Sequence, residues 1–177
     1  MTWPALALPL VTMHTHSPQA IGTELATAAG KLSTAASAVY PTANLALFIP
    51  FWLGTSHTAV QLFCWNGATV SGNIDVGIYA ADGTKLVSSG STAQAGVNVL
   101  QAFDIADTVL GPGNYYLAVA MDNTTGTLFR LNIANRTVSG FGCLQQASAF
   151  ALPAVATFAA YTTSYQPVIG FSTRAVL

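Results

Sequence analysis

Apolar residues alternate with other residues at a period of two through the middle of this chain. Between residues 45 and 133 the apolar members of five such runs are Leu45, Leu47, Ile49, Phe51 and Leu53; Ile74, Val76 and Ile78; Val97, Val99, Phe103 and Ile105; Tyr115, Leu117, Val119 and Met121; and Phe129, Leu131 and Ile133. Successive side chains of a β-strand point to opposite faces of its sheet. Each run therefore predicts a strand with one buried face.

Turn-forming residues separate these runs. They are Asn66-Gly67, Asp82-Gly83, Gly111-Pro112-Gly113 and Asn123-Thr124-Thr125-Gly126. Asp82-Gly83 indicates a hairpin, because glycine adopts positive φ without steric cost. Short strands spaced in this way predict an all-β fold, an antiparallel β-sandwich of jelly-roll-like type. Residues Val168 to Phe171 are predicted to form a final strand that closes it.

The first 44 residues lack this alternation. Ser17-Pro18 can cap a helix with proline at its first position. The apolar residues at roughly helical spacing after this cap are Ile21, Leu25, Leu32 and Val39. Gly22, Gly30 and many Ser and Thr residues lower helix propensity, so an extended arm fits equally well. We divide the chain into an N-terminal arm or short helical segment, residues 1–44, and a β-sandwich domain, residues 45–177.

Charged side chains are scarce. They make up 6% of the 177 residues, with a net charge of −1, against about 25% in a typical soluble domain. Five cations release few counterions from a phosphate backbone, so we expect no nucleic-acid binding. Low net charge favours association, and burying surface is easier when no ionised group loses its hydration. The composition therefore favours a chain that assembles with copies of itself.

Membrane insertion is not expected either, although the mean hydropathy is +0.51. A spanning helix needs about 20 consecutive apolar residues. The longest candidate, residues 147–161, is shorter and contains Pro153. The apolar N-terminus has no Lys or Arg before it, and Pro4 and Pro9 interrupt it, which argues against a signal peptide.

The carboxylates offer one weak catalytic hypothesis. Asp104 and Asp107 are the only close pair, and a glycosidase needs two carboxylates about 5 to 10 Å apart. Solvated turn carboxylates are the simpler interpretation. A calcium site using Asp104, Asp107 or Asp122 lacks supporting ligand spacing. Asp75 falls on the face opposite the apolar side of its run, so we predict that it points to solvent.

The histidines and cysteines do not form a recognisable site. His14 and His16 would share one face of a strand, but zinc needs a third donor, which an assembly could supply across a symmetry axis. His57 is interpreted as a loop residue. Cys64 lies in an apolar run and predicts a buried free thiol. A Cys64–Cys143 disulfide is left open. We predict no catalytic residue, metal or cofactor, and hence no enzyme.

The aromatic residues suggest a binding surface. Several lie in or beside strands, and a sugar ring can stack on an outward-facing aromatic side chain. Tyr79 and Tyr116 fall on the faces opposite Ile78 and Tyr115. They are therefore the candidate glycan-binding residues. The alternative is that they pack under loops or against a second subunit.

Three segments resemble a β-sandwich module of tailed-bacteriophage structural proteins. They are Tyr40-Pro41-Thr42-Ala43-Asn44-Leu45-Ala46-Leu47-Phe48-Ile49-Pro50-Phe51, Asn73-Ile74-Asp75-Val76-Gly77-Ile78-Tyr79-Ala80-Ala81-Asp82-Gly83-Thr84 and Gly111-Pro112-Gly113-Asn114-Tyr115-Tyr116-Leu117-Ala118. The resemblance covers residues 40 to 133. This region is similar to minor tail, head-decoration and carbohydrate-binding-like modules.

This resemblance implies a non-enzymatic structural component on the exterior surface of a virion, in a head decoration or in a tail or its appendages. Its partners would be other copies of itself and capsid or tail proteins, in a symmetric oligomer. The N-terminal arm would anchor it, because a disordered segment can wrap a large surface when it orders on binding. The alternative function is a carbohydrate-binding module for host attachment, with a host-surface glycan as partner.

Overall fold

The structure, a computed structural model, describes residues 35–132 and 142–173. In these ranges the strands are β1 (Ala35–Val39), β2 (Ala46–Leu53), β3 (His57–Trp65), β4 (Asn73–Ala80), β5 (Lys85–Ser88), β6 (Thr92–Ala93), β7 (Leu100–Leu110), β8 (Gly113–Met121), β9 (Thr127–Asn132), β10 (Leu144–Gln146), β11 (Ala159–Ala160), β12 (Tyr165–Pro167) and β13 (Ile169–Ser172). All paired strands are antiparallel. The predicted all-β class is confirmed. No helix suited to crossing a membrane occurs within the described ranges.

The strands form two layers. The first is a seven-stranded sheet in the order β11-β10-β2-β8-β4-β5, with β6 also paired to β4. The second combines β1-β9-β12 with β13-β3-β7. Val168 joins these two groups, because its N–H donates to the Phe129 carbonyl in β9 and its carbonyl accepts from the Trp65 N–H in β3. The predicted closing strand is confirmed as β13, which pairs with β3.

The main core lies between the layers and contains the alternating residues of the sequence. Leu47, Ile49 and Leu117 of the first layer are fully buried there, as are Leu62 and Phe171 of the second. In β2 the odd-numbered residues face this core. The even-numbered residues consequently face outward from the first layer.

Part of the predicted arm belongs to the sheet. β1 pairs with β9 along its whole length. Tyr40, directly after β1, is buried, and its hydroxyl donates to the carbonyls of Leu45 and Val119, each 2.8 Å away. Ordered sandwich structure therefore begins before residue 44. The earlier arm residues, with the predicted helix cap and the His14–His16 pair, lie outside the described residues.

A second apolar cluster covers the outer face of the first layer. Residues 149–158, here called the covering segment, pack over this face with Leu152, Ala156 and Phe158. Their contacts on the sheet include the buried rings of Phe48 and Tyr79. Backbone hydrogen bonds hold the covering segment at both ends: Ala149 N–H to Asn44 O at 2.7 Å, and Ala156 N–H to Gly83 O at 2.8 Å.

One predicted turn is confirmed, and one predicted strand is wrong. The Asp82-Gly83 hairpin is confirmed between β4 and β5, with Gly83 at φ +91° and the Thr84 N–H donating to Asp82 Oδ1. The strand predicted through Val97 and Val99 is wrong, because both valines are exposed in the turn before β7. Asn98 between them has φ +57°, a left-handed conformation that interrupts an extended chain.

We expect Leu62→Ala to lower the free energy of unfolding by about 2 to 5 kcal/mol, because it leaves a cavity in the main core. Leu86→Ala is the matched control, since Leu86 is an exposed leucine in a strand of the same sandwich. It should change stability by less than about 0.5 kcal/mol. Urea unfolding measures both. Equal losses in the two variants would contradict the assignment of the core.

Candidate functional site

Trp52, near the end of β2, is the most exposed large aromatic residue of the described ranges. Its side chain is 56% exposed, whereas tryptophan is usually well covered in folded proteins. The alternation of β2 explains this orientation, because Phe51 and Leu53 face the core on either side of it. Trp52 therefore projects from the outer face of the first layer.

Two polar residues of β8 share this face with Trp52. Asn114 pairs directly with Trp52, and Tyr116 pairs with Pro50, two positions earlier in β2. Diagonal neighbours of this kind have their Cβ atoms about 7 to 8 Å apart. Trp52, Asn114 and Tyr116 together are called the aromatic platform below.

Gly54 restricts where the indole ring can lie. A Cβ atom added at Gly54 would be 2.9 Å from Cη2 and 3.3 Å from Cζ3 of Trp52. The outer edge of the six-membered ring therefore lies close to Gly54, and a side chain at this position would require the ring to move. The ring is supported by backbone while more than half of the side chain stays exposed.

The polar groups of the aromatic platform are not engaged by the described part of the chain. Within those ranges, neither the exposed Asn114 amide nor the half-exposed Tyr116 hydroxyl forms a hydrogen bond. The Tyr116 ring packs against Phe158 of the covering segment, with centroids 4.9 Å apart. Burial raises the pKa of the Tyr116 hydroxyl, so it remains a protonated donor near neutral pH. The described residues therefore leave both groups without a hydrogen-bond partner.

Tyr79, the other candidate glycan residue, is not exposed. Its side chain is fully buried beneath the covering segment, with its ring edge-on to Phe48 at 5.2 Å. The hydroxyl donates to the Pro153 carbonyl at 2.6 Å. Tyr79 does face away from the main core as predicted, and it packs under a loop, which is the alternative given above for this residue. A ligand could reach its ring only if the covering segment moved.

The prediction that Asp75 points to solvent is wrong, because the covering segment lies over this carboxylate as it does over Tyr79. Asp75 lies on the outer face of β4 and is fully buried under the covering segment. Its Oδ2 accepts the Leu152 N–H at 3.0 Å, and its Oδ1 accepts from the Ser89 hydroxyl at 3.3 Å. Asp75 thus fixes the backbone of the covering segment to the sheet.

One residue of the covering segment, Leu152, has its backbone N–H and its backbone carbonyl held by side chains of opposite charge. Asp75 accepts the N–H of Leu152, and the Lys85 ammonium donates to the carbonyl of Leu152 at 2.7 Å. Burial raises the pKa of Asp75 above its ordinary value of 3.8, although the Leu152 N–H, two serine hydroxyls and Lys85 oppose this rise. Loss of hydration is the largest of these effects.

The remaining carboxylates do not gather into one site. Asp104 and Asp107 are both exposed on β7, where the pairing with β3 is irregular. Asp104 Oδ1 accepts a hydrogen bond from Gln61 Nε2 at 2.6 Å. Asp122 follows β8 and binds the backbone and side-chain amides of Asn73. Within the described ranges, no three His, Cys, Asp or Glu side chains are grouped to hold a metal ion.

The cysteines are two buried free thiols, which confirms the prediction for Cys64. Burial raises the pKa of Cys143 to about 12 and raises that of Cys64 as well. Both thiols therefore stay protonated, which suppresses their nucleophilicity. His57 is the first residue of β3 rather than a loop residue, and its Nε2 lies 3.0 Å from the Thr55 hydroxyl.

Trp52 was missed as a site residue, although the sequence contains a signal for it. It occupies an even position in a run whose odd positions are apolar. That pattern places Trp52 on the outer face together with Tyr79 and Tyr116. It does not indicate which part of this face stays uncovered. The covering segment decides which of the three rings is exposed.

We expect the stability of the wild-type protein to fall as pH rises from about 4 through the raised pKa of Asp75. In that interval the folded state binds more protons than the unfolded state, so the free energy of unfolding decreases with pH. Asp75→Asn should remove this decrease. Asparagine can still accept from Leu152 and pair with Ser89. Urea unfolding of both proteins between pH 4 and 7 measures the difference.

Asp82→Asn is the control for this experiment. Asp82 is a fully exposed turn carboxylate whose pKa is lowered, chiefly by the Thr84 N–H. The stability that Asp82 contributes is therefore lost as pH falls, which is the opposite of the dependence expected for Asp75. The fall in stability with rising pH should persist in Asp82→Asn. A persistent fall in Asp75→Asn would contradict the role given to Asp75.

Comparisons with known proteins do not extend these assignments. No protein-family model, curated protein or solved structure matches this chain.

Proposed function

We propose that this chain is a non-enzymatic structural component of the exterior of a tailed-phage virion, a head-decoration protein or a tail or appendage protein. It assembles as a symmetric oligomer with copies of itself and with capsid or tail proteins. The resemblance of residues 40–133 suggests this setting. The character of the exposed surface is the observation on which the proposed assembly rests.

Exposed apolar side chains outnumber exposed charged ones in the described residues. The exposed charged side chains there are Asp82, Asp104 and Asp107. The exposed large hydrophobic ones are Val39, Trp52, Leu86, Val97, Val99, Val109 and Val155. Such a surface can be buried against another subunit with little loss of ionic hydration.

Six of these seven side chains lie at opposite ends of the sandwich. Leu86, Val109 and Val155 form one group, here called the Val109 end, where β4 finishes and β8 begins. Val39, Val97 and Val99 form the other, the Val97 end, where β3 finishes and β7 begins. Gly67 links the parts of the Val97 end. Its N–H donates to the carbonyl of Thr127, which pairs with Val39, and its carbonyl accepts from the N–H of Asn98.

Two different apolar ends fit a head-to-tail contact. In such a heterologous interface one surface of a subunit meets a different surface of the next, and repetition gives a ring or a column. An isologous dimer would use one end only. We therefore assign the oligomer contact to the Val109 end of one copy and the Val97 end of its neighbour.

Charged substitutions at the two ends test this arrangement. Val109→Asp and Val97→Asp should each weaken self-association at least about tenfold, because a carboxylate would lose hydration in the contact. An equimolar mixture of the two variants should form a dimer, since each variant retains one intact end. Light scattering coupled to size exclusion measures the masses. Ala106→Asp is the control, because Ala106 is an exposed residue in the middle of β7 and lies outside both ends.

The possible outcomes separate three arrangements. Loss of association in only one of the two valine variants would indicate an isologous contact. A wild-type protein that is monomeric at all concentrations would refute the proposed assembly. Ala106→Asp should associate like the wild type.

Immunogold labelling of purified virions that encode this chain tests the proposed location. Label over the head is expected for a decoration protein, and label confined to the tail for a tail or appendage protein. Absence of the chain from purified particles, checked by mass spectrometry, would refute the virion assignment.

The aromatic platform favours a second candidate function, carbohydrate binding in host attachment. The indole is exposed, and the Asn114 amide and the Tyr116 hydroxyl form no hydrogen bond within the described ranges, so the platform suits a sugar better than the deeply buried Tyr79 does. This function can coexist with a structural one, because many of the contacts in an assembly leave sheet faces uncovered.

A further inference from the structure

We propose that the aromatic platform binds a neutral pyranose sugar whose ring hydroxyls are equatorial, with the sugar ring stacked on Trp52. This inference rests on the second candidate function and names its ligand class and contacts. It does not depend on the virion location or on the oligomer contact.

The stacking surface is the Trp52 indole. An all-equatorial pyranose presents flat faces of axial C–H groups, and such a face packs on an aromatic ring. An axial hydroxyl would project from that face and separate the two rings. The Gly54 backbone already restricts the position of the indole, so little side-chain freedom remains to be lost when a ligand binds.

The hydrogen-bonding groups lie beside the indole. The Asn114 amide offers both a donor and an acceptor, and the Tyr116 hydroxyl offers a donor and an acceptor. Both are free of hydrogen bonds to the described residues. Neighbouring equatorial hydroxyls project from the rim of a sugar ring, where an amide can donate to one and accept from another. A purely apolar ligand would leave these groups unused.

The surroundings of the platform indicate a neutral ligand. None of its residues, nor their strand partners Pro50 and Tyr79, is charged. The two cations among the described residues are engaged elsewhere, Lys85 with the Leu152 carbonyl and Arg130 over the Tyr165 ring. A carboxylate-bearing sugar would therefore lose hydration without a cation to compensate.

The position of Trp52 distinguishes it from the other exposed hydrophobic residues. Those are aliphatic and lie at the ends of the strands or in turns. Trp52 is the one aromatic among them, and it projects from a sheet face. A second protein copy could also cover an exposed tryptophan, so the experiment below includes this outcome.

Isothermal titration of the full chain with cellotetraose, a neutral all-equatorial oligosaccharide, tests the proposal. We expect saturable binding that weakens at least about tenfold in Trp52→Ala. Trp52→Phe should recover part of the affinity, because it restores a smaller aromatic face. Asn114→Ala should weaken binding about two- to tenfold through loss of hydrogen bonds. The β-1,4-linked tetramer of glucuronic acid keeps the equatorial stereochemistry of cellotetraose and adds a carboxylate to each ring, so it should bind at least about tenfold more weakly than cellotetraose.

Two further variants serve as controls. Trp65→Phe alters a half-buried tryptophan that packs on Phe129 in the second layer, so it should bind the sugar as the wild type does. Gly54→Ala adds a methyl group that collides with the Trp52 ring, and it should weaken binding although no ligand-contacting side chain changes. Thermal unfolding verifies that each variant is folded.

Three results would overturn the proposal. They are no binding of cellotetraose to the wild type at millimolar concentration, undiminished binding in both Trp52 variants, and a change of oligomer mass in Trp52→Ala without an effect on sugar binding. The last result would make Trp52 a contact between copies. Failure of the virion assignment leaves these titrations unaffected, so the two proposals fail independently.

Discussion

The hydrogen bonds to the backbone of Leu152 determine what the first layer of this sandwich exposes. Asp75 accepts from the N–H of Leu152, Lys85 donates to its carbonyl, and the Tyr79 hydroxyl donates to the carbonyl of Pro153. These bonds keep the covering segment on a sheet face that would otherwise expose Phe48 and Tyr79. Because the bonds are partly or wholly buried, their polar groups are costly to leave unpaired. Phe158 of the covering segment packs against Tyr116, and Trp52 remains exposed beyond it.

The sequence was sufficient for β2, β4 and β8 and for the face that each one buries, because period-two alternation directly reports the inner face. It did not predict β1, which lies within the predicted arm, and it was insufficient for the outer face. Asp75 and Tyr79 were correctly placed on that face. The exposure of Asp75 was misjudged and that of Tyr79 was left open, since residues 149–158 show neither alternation nor charge that would indicate where they pack. The turn at Asn98 was missed because a single left-handed residue leaves the apolar pattern around it unchanged.

The few charged groups are distributed in a way that links both proposals. Lys85 and Arg130, the cations of the described residues, act on a peptide carbonyl and an aromatic ring. Within residues 35–132 and 142–173, only aspartates are left among the exposed charged side chains. This part of the surface offers no exposed cation to an acidic partner. It is instead compatible with apolar contacts between subunits and with uncharged ligands such as neutral sugars.

Whether oligomer formation and sugar binding can occur together depends on where the subunit contact lies relative to Trp52. A head-to-tail contact between the Val109 and Val97 ends would bury turns and strand termini, whereas Trp52 projects from a sheet face. Trp52 is nevertheless near the end of β2, next to the loop of residues 54–56 that leads to β3 in the other layer. If a neighbouring copy reached this loop, sugar binding and association would compete, and each would weaken the other by the same factor. If the contact stayed on the strand ends, every copy in a ring or column would present its own platform, and many weak sugar contacts would combine into strong attachment.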